Sequence, residues 1–195
     1  MLKAGEDFKF FNPYACVKMT RSNLPHWHQK SALYFVTFRQ ADAIPAKKLA
    51  VWKTQYDQWL NRNSKPWNEA QRVEYETHFA RQIEQWLDLS YGSCLLKIKT
   101  CRDIIEARIT ADVNKHYLID CYTVAVNHVH ALIAPKGEHR LPNILKAWKG
   151  GSAHSINSFL SRSGPLWQKE TYDHIVRNQI ALNRIRSYIT AHDRT

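Results

Sequence analysis

Cysteine is scarce in this chain and follows no recognisable spacing. The four cysteines are Cys16, Cys94, Cys101 and Cys121, and no two of them form a CxxC pair or another zinc-binding spacing. This pattern argues against a zinc site built from thiolates. We therefore predict four free thiols in the reducing environment of the cytosol.

Long apolar segments are also missing. No apolar run approaches the roughly 20 residues that a membrane-spanning helix needs. The opening stretch, MLKAGEDFKFFNPYA, lacks the apolar segment of a signal peptide. The sequence contains no internal repeat and no low-complexity linker. From these absences we expect a cytoplasmic protein that has no membrane partner.

Positive charge is what the sequence has in excess. Its 195 residues include 28 Lys and Arg against 17 Asp and Glu, which gives a formal net charge of +11 and a pI of about 9.6. This balance predicts a polyanionic partner, with nucleic acid as the first candidate and a merely soluble basic protein as the alternative. Aromatic residues make up 12% of the chain, so surfaces for base stacking are available, although most rings will lie in the core.

Hydrophobic periodicity predicts alternating strands and helices in a chain long enough for one domain. We predict an N-terminal arm over 1–30 and strands over 31–38, 117–126, 129–134 and 171–176. Helices are predicted over 45–60, 68–87, 100–114 and 142–160, and from 180 to the C-terminus. Gly150 and Gly151 lie inside one of these helices, where we expect a kink or the close approach of another backbone. This order suits an α+β sandwich of the ferredoxin-like kind, with helices packed on an antiparallel sheet.

Two histidines interrupt an apolar, β-branched stretch over 121–135, which reads CYTVAVNHVHALIAP. Because side chains alternate along a strand, His128 and His130 should project from one face, with Val129 buried on the other. Two imidazoles aimed at one point suit a divalent metal. The alternative, a purely structural histidine pair, stays open on this pattern alone.

A second pair of alternating histidines occurs near the N-terminus. His26 and His28 follow Pro25 and precede polar residues, so we predict that they lie in a loop. We interpret this pair as a surface feature or a nucleic-acid contact rather than as a metal site.

The last predicted helix carries a tyrosine and a histidine four residues apart, Tyr188 and His192. This spacing places both side chains on one side of the helix. Tyr188 is a candidate nucleophile for phosphoryl transfer and His192 a candidate third metal ligand, because a divalent ion polarises a phosphodiester beside it. The alternative is that Tyr188 only packs the helix against its neighbours.

Several segments together resemble one known family. They are the runs VNHVHALI over 126–133, WKG over 148–150, LWQKE over 166–170, DHIVR over 173–177 and YI over 188–189, with LPH over 24–26 and YFVTFR over 34–39 nearer the N-terminus. In combination they resemble the REP-associated tyrosine transposases, a branch of the single-tyrosine HUH transposases. The resemblance implies a ferredoxin-like HUH nuclease fold, a Mg²⁺ or Mn²⁺ ion, and cleavage of single-stranded DNA near an imperfect hairpin.

The resemblance also implies roles for individual residues. His128 and His130 match the metal-binding pair, and Tyr188 matches the nucleophile, which we favour over the rival Tyr172. His192 stands where the family commonly has an amide side chain, and we expect it to act as a ligand instead. The family's further basic tail is missing after His192, so we expect its DNA contacts to be lost, as in a shortened or inactive copy. We assign the catalytic core to 31–44 and 100–195, and treat 45–87 as a helical insertion that adds DNA contacts or a dimer surface.

Basic residues near these segments are candidate DNA-binding residues, each with a solvated surface charge as the alternative. They are Arg140, Lys146, Lys149 and His154, which would line a phosphate track, and Arg177, Arg184 and Arg186, which flank the tyrosine helix.

The leading hypothesis is a metal-dependent endonuclease and strand transferase that cuts hairpin-bearing (REP-like) single-stranded DNA through a 5′-phosphotyrosine. A hairpin-binding protein or regulator that has lost cutting is the alternative. A rolling-circle replication initiator is a weaker option, since no helicase-like region is present. The family further suggests a homodimer and association with the nucleoid.

Overall fold

The protein is built on a four-stranded antiparallel sheet. The computed structural model describes residues 1–21, 25–64 and 67–192. The strands of the sheet are β3 (Tyr34–Arg39), β4 (Tyr117–Val124), β5 (His128–Pro135) and β6 (Tyr172–Ile175), in the order β4-β5-β3-β6. A separate two-stranded ribbon pairs β1 (Lys18–Arg21) with β2 (Pro25–His28). Aromatic and β-branched residues dominate β3, as expected for a strand inside a sheet.

Helices cover both faces of the sheet. They are α1 (Ala46–Arg62), α2 (Glu69–Tyr75), α3 (Arg81–Asp88), α4 (Lys99–Thr110), α5 (Leu141–Phe159) and α6 (Gln179–His192). A π-helical stretch, Glu76–Ala80, joins α2 to α3, and a 3₁₀ turn, Leu95–Lys97, precedes α4. The predicted α+β class, with helices packed on an antiparallel sheet, is therefore confirmed.

Alternation along β3 divides the core into two layers. Tyr34, Val36 and Phe38 belong to the larger cluster, which contains the buried residues of α4 and α5. Leu33 and Phe35 belong to a second cluster with the buried residues of α6. The histidine-bearing face of β5 is the one that α6 covers.

The helices between residues 46 and 88, here called the helical segment, have an aromatic core of their own. Tyr56, Trp59 and Phe79 are buried there and pack against further rings. Asn68 and Gln71 form a reciprocal capping pair at the start of α2, each backbone N–H donating to the other residue's side-chain oxygen at 2.9 Å. The insertion predicted from the resemblance is thus a packed helical unit, while the division into core and insertion stays a prediction.

Two local predictions were wrong. His28 lies in β2 rather than in a loop, because β1 supplies the backbone hydrogen bonds that a two-stranded ribbon needs, and the side chain of His26 lies outside the described residues. The side chain of Arg108, not another backbone, approaches Gly151, where an added Cβ would lie 2.9 Å from the guanidinium carbon. Phe8 from the N-terminal residues is buried in the cluster of α6, while the assignment of 1–30 to an arm stays a prediction.

None of the helices in the described ranges has the combination of length and apolar character that crossing a bilayer requires.

A buried ion pair links α6 to β4. The register of β4 shifts between Ile119 and Cys121, which makes Asp120 the extra residue of a bulge. Its carboxylate is fully buried and accepts two hydrogen bonds from Arg186, at 2.6 and 2.7 Å. The Arg186 guanidinium also donates to the Leu2 carbonyl oxygen at 2.9 Å. This pair holds the helix that carries Tyr188.

We expect Asp120→Asn to cost about 3 kcal/mol of stability at pH 7, because it leaves the Arg186 charge without its partner. Burial raises the pKa of Asp120, but hydrogen bonds from Arg186 and Leu2 outweigh it and hold the pKa below its ordinary value of 3.8. The contribution is therefore present at neutral pH and is lost as the pH falls through the folded pKa. Thermal unfolding at pH 7 should show a melting temperature about 6–12 °C lower.

The matched control is Glu138→Gln, which removes the partner of Lys30 in an exposed pair. It should shift stability by less than about 0.5 kcal/mol. Equal melting temperatures for Asp120→Asn and the unmodified chain would show that the buried pair does not hold α6.

Candidate metal and tyrosine site

His128 and His130 project from the same face of β5, as strand alternation requires. Val129, between them, belongs to the opposite core layer. The two imidazole centroids are 4.5 Å apart, and both side chains are buried, with 2% and 0% of their surface exposed. Two neighbouring buried histidines are costly unless their polar atoms find partners. Their hydrogen bonds therefore decide what they can do.

Asn127 fixes the tautomer of His128. The Asn127 amide nitrogen donates to the Tyr91 carbonyl oxygen at 3.0 Å, which sets the orientation of the amide. Asn127 Oδ1 can then only accept, so His128 Nδ1 donates to it at 2.7 Å. His128 Nε2 is left with a lone pair, and it has no hydrogen-bond partner among the described residues. A buried ring nitrogen of this kind is suited to metal ligation.

His130 lies between a threonine and the candidate nucleophile. Its Nδ1 is 2.7 Å from Thr37 Oγ1, on the paired residue of β3. Its Nε2 is 3.3 Å from the Tyr188 hydroxyl. The Phe35 ring stacks on the imidazole with centroids 5.5 Å apart. If Nδ1 donates to Thr37, Nε2 presents its lone pair to Tyr188 or to a metal.

Helix α6 brings Tyr188 and His192 to the same place. The spacing of four residues puts both side chains over the face of β5, with ring centroids 4.3 Å apart. His192 Nδ1 donates to the Tyr188 carbonyl oxygen at 2.9 Å. His192 Nε2 lies 2.8 Å from Asp88 Oδ1 at the end of α3. The helical segment therefore contributes a carboxylate to the site.

His128, His130 and His192 could hold a metal ion. Each could offer one ring nitrogen, and these nitrogens lie within 4.8 Å of one another. Both nitrogens of His192 are engaged in hydrogen bonds, so His192 would have to release one of them to bind a metal. Across the described ranges, no other group of three His, Cys, Asp or Glu residues comes as close. The donor set fits a divalent transition ion such as Mn²⁺ better than Mg²⁺, which prefers oxygen ligands. The oxygen of Asp88 lies beside the cluster.

Burial keeps the two strand histidines neutral. It lowers the pKa of His128 to about 3, with a further contribution from His192. It also holds the pKa of His130 well below its ordinary value, and His128 and His192 add to this effect. Neutral imidazoles retain the lone pairs that ligation or proton acceptance requires.

The Tyr188 phenol is hard to ionise without a nearby cation. Burial raises the pKa of Tyr188 above its ordinary value, and the carboxylates of Glu84 and Asp88 raise it further. The hydroxyl is therefore protonated at neutral pH. A positive charge at the histidine cluster would offset both carboxylates.

Tyr172, the rival candidate, lies on β6 beside a cavity instead of on the histidine cluster. Its ring packs 5.5 Å from His174, and its β3 partner in the sheet is Thr37. Burial raises the pKa of Tyr172 well above its ordinary value, and Tyr75 and Glu84 raise it further. The Tyr188 hydroxyl, in contrast, contacts His130 directly.

Two of the four predicted phosphate-track residues line a groove. Lys146 and Lys149 on α5 border a depression of about 690 Å³, together with Lys169. Lys149 also donates to the Lys169 carbonyl oxygen and to Thr171 Oγ1, at 2.8 and 3.1 Å, and burial lowers its pKa to about 8. Arg140 and His154 are exposed but do not line this groove.

The three arginines near α6 differ in their surroundings. Arg184 is exposed one turn before Tyr188. Arg177 is exposed, with its guanidinium carbon 5.6 Å from the centroid of the Phe11 ring. The guanidinium of Arg186 is occupied by Asp120, so its predicted role as a DNA contact competes with a structural one.

Comparison with known proteins reveals a structural relative. No family model and no curated protein matches the chain. A solved structure of a REP-associated tyrosine transposase bound to a REP hairpin is similar, with a TM-score of 0.51 and 15% sequence identity over 87% of this chain and 70% of that one. The two chains share a fold. A candidate transposase from Deinococcus radiodurans R1 matches 95% of this chain and 98% of its own at 14% identity. Its TM-score of 0.39 is too low to support a conclusion about fold or function.

We expect Asp88→Asn to weaken Mn²⁺ binding by about 10- to 100-fold, since groups that contact a histidine ligand orient it. Isothermal titration with Mn²⁺ measures this directly. The matched control is Asp103→Asn, which removes a carboxylate from an exposed pair with Lys99. Equal Mn²⁺ affinity in the two variants would exclude Asp88 from the site.

Proposed function

We propose that the protein is a metal-dependent single-stranded DNA endonuclease and strand transferase that acts beside DNA hairpins. The observation that carries this proposal is the Tyr188 hydroxyl, 3.3 Å from His130 Nε2 within a cluster of three histidines. A nucleophile and a metal-ligand set thus meet at one point. The shared fold with a transposase solved on a REP hairpin supports the choice of substrate.

The proposed first step exchanges one phosphodiester for another. The Tyr188 oxygen attacks the phosphorus, the bond from phosphorus to the 3′-oxygen breaks, and DNA remains joined to the enzyme as a 5′-phosphotyrosine. The tyrosine proton passes to solvent, because His130 Nε2 would serve as a metal ligand, and the departing 3′-oxygen gains a proton from solvent. A divalent ion, when bound by His128, His130 and His192, would polarise the phosphodiester and stabilise the phenolate. Attack by a 3′-hydroxyl on the phosphotyrosine reverses the step and rejoins DNA.

The charge of the chain supports a nucleic-acid substrate. The net charge of +11 favours a polyanion, and the lysine-lined groove offers a track for phosphates. The proposed partner is single-stranded DNA that carries a hairpin. A homodimer and association with the nucleoid stay predictions.

A gel assay tests the proposed function. A labelled single strand that carries a REP-like hairpin is incubated with the protein and Mn²⁺, then denatured. We expect a shortened product and a labelled band that migrates with the protein. Hairpin binding with no cleaved product would favour the alternative, a hairpin-binding protein or regulator of the same fold. If the strand is neither bound nor cleaved, both interpretations are wrong.

A further inference from the structure

A cavity of about 380 Å³ lies between the helical segment and the sheet, next to the candidate site. Its size is at the small end of the roughly 300–1,000 Å³ typical of ligand pockets. Residues of α1, of α3, of β3 and of the stretch that leads into β6 line it. It is a different space from the lysine-lined groove, although both border Gln168 and Glu170.

Aromatic rings form much of its wall. Trp52 and Tyr56 lie on α1, Tyr75 ends α2, and Tyr172 lies on β6. Trp52 is held in place by its indole N–H, which donates to the Phe79 carbonyl oxygen at 3.2 Å. Fixed aromatic rings around an open space suit a flat, π-electron-rich ligand.

A mostly buried arginine also lines the cavity. Arg39 Nη1 is inaccessible to solvent and has no hydrogen-bond partner in the described part of the chain. Burial lowers the pKa of Arg39 to about 10, so the side chain stays charged at pH 7. An unpaired buried donor of this kind is expensive unless a ligand satisfies it.

The charges around the cavity do not favour a phosphate. Arg39 and Lys53 contribute two positive charges, and the carboxylates of Asp57 and Glu84 offset them. A phosphate would gain no net electrostatic attraction from this balanced set, whereas a neutral heterocycle with both donors and acceptors on its edge would find partners. The chemistry therefore fits a nucleobase rather than a backbone.

The cavity adjoins the reacting groups. Thr37 lines it and also contacts His130 Nδ1 at 2.7 Å. Glu84 lines it and influences Tyr188 electrostatically. A strand with its phosphodiester at Tyr188 would therefore have a neighbouring nucleotide within reach of the cavity.

We propose that this cavity binds one unstacked nucleobase of the single-stranded substrate, which stacks on the aromatic wall and accepts a hydrogen bond from Arg39. This rests on the proposed function, because it assumes that single-stranded DNA lies at Tyr188. Insertion of the base places the adjoining phosphodiester at the site. The helical segment is then a substrate-binding element of the enzyme.

Photo-crosslinking of the full chain tests the proposal without knowledge of the DNA target. The probe is a thymidine 20-mer with a single 5-iododeoxyuridine, moved along the strand in separate oligonucleotides. Stacking tolerates any base, so this probe should enter the cavity. We expect crosslinks in peptides that contain Trp52, Tyr56, Tyr75 or Tyr172. Filter binding on the same samples reports whether the strand is bound at all.

Arg39→Met tests the hydrogen bond to the base. It removes a buried, unsatisfied donor, so the fold should be at least as stable as before. Affinity for the 20-mer should fall by roughly 5- to 100-fold, as for the loss of a base-edge contact, and the cavity crosslinks should fall with it. The matched control Lys47→Met removes the same charge from an exposed position of α1 outside the cavity and should retain the crosslinks.

The two proposals fail in different ways. If the strand binds but crosslinks only to residues outside the cavity, or if Arg39→Met and Lys47→Met behave alike, the base pocket is wrong and the proposed function survives. If the unmodified protein binds no single strand and cleaves no hairpin-bearing strand, both are wrong.

Discussion

Tyr188→Phe should abolish the covalent adduct between protein and DNA while hairpin binding is retained. The substitution removes only the hydroxyl oxygen, which lies 3.3 Å from His130 Nε2, and keeps the ring that packs against Phe35 and His192. Without the nucleophile the cleavage rate should fall by at least about 10³-fold, because the phosphotyrosine can no longer form at the hydroxyl beside His130. Denaturing gels of a labelled hairpin strand measure the adduct, and a native gel measures binding.

The matched control for this variant is Tyr172→Phe. It removes the same atom from a tyrosine that lines the neighbouring cavity. We expect this variant to form the adduct. If the adduct persists in Tyr188→Phe and vanishes in Tyr172→Phe, the nucleophile is Tyr172 and our assignment is wrong. If both variants form the adduct, neither tyrosine is the nucleophile.

Much of the site could be predicted because it depends on local periodicity. The period of two in a strand puts His128 and His130 on one face, and the period of 3.6 in a helix puts Tyr188 beside His192. These two patterns predict each pair of side chains, but they do not predict that the two pairs lie next to each other. Their proximity depends on the packing of α6 against the face of β5, in a layer built around Phe35 and Leu182.

The residues that orient the site histidines could not be predicted from local sequence patterns. Asp88 is 104 residues from His192 in the chain, and only the docking of the helical segment brings them to 2.8 Å. Thr37 faces His130 because of the β3–β5 register, which sequence periodicity does not specify. Asn127 precedes His128 in the sequence, but the orientation of its amide toward His128 depends on the Tyr91 carbonyl oxygen, which is 36 residues away.

Basic residues were the least predictable, since a positive charge in the sequence does not reveal its partner. Arg186 resembles a DNA contact on an amphipathic helix, yet it pairs with Asp120, 66 residues away, through a β-bulge. Arg39 enters the sequence analysis only within the run YFVTFR, yet it is a mostly buried cation beside the site. Burial and bulges depend on tertiary packing, so charge counts predict the class of partner and not the contacts.

Ionisation of the Tyr188 hydroxyl requires a nearby positive charge, but the charged side chains near this hydroxyl are carboxylates. Glu84 and Asp88 oppose ionisation of Tyr188, and burial keeps the strand histidines neutral. The folded chain thus provides ligands and a protonated nucleophile, but no positive charge on either strand histidine at neutral pH. A bound cation would supply that charge, which makes dependence on a divalent ion the sharpest test of the arrangement.

Removing divalent ions should reduce cleavage to background and remove a metal-dependent gain in stability. A ligand at 100 times its dissociation constant stabilises the folded state by about 2.7 kcal/mol. For a chain of this length that corresponds to a rise in melting temperature of about 5–11 °C. We expect Mn²⁺ to produce this rise, Mg²⁺ to produce a smaller one because the donors are nitrogens, and EDTA to reverse both.

Replacing both strand histidines, as His128→Gln with His130→Gln, should remove the thermal response to Mn²⁺ together with cleavage, because two of the three clustered nitrogens are lost. The matched control replaces His116 and His139, a second histidine pair whose ring centroids are 4.2 Å apart, and it should keep both properties. Thermal unfolding reports the ion without any requirement for DNA, so loss of binding is separated from loss of chemistry. Unimpaired cleavage in excess EDTA would contradict a metal role for the cluster, because the neutral imidazoles of His128 and His130 cannot offset the charge that develops on the phosphodiester.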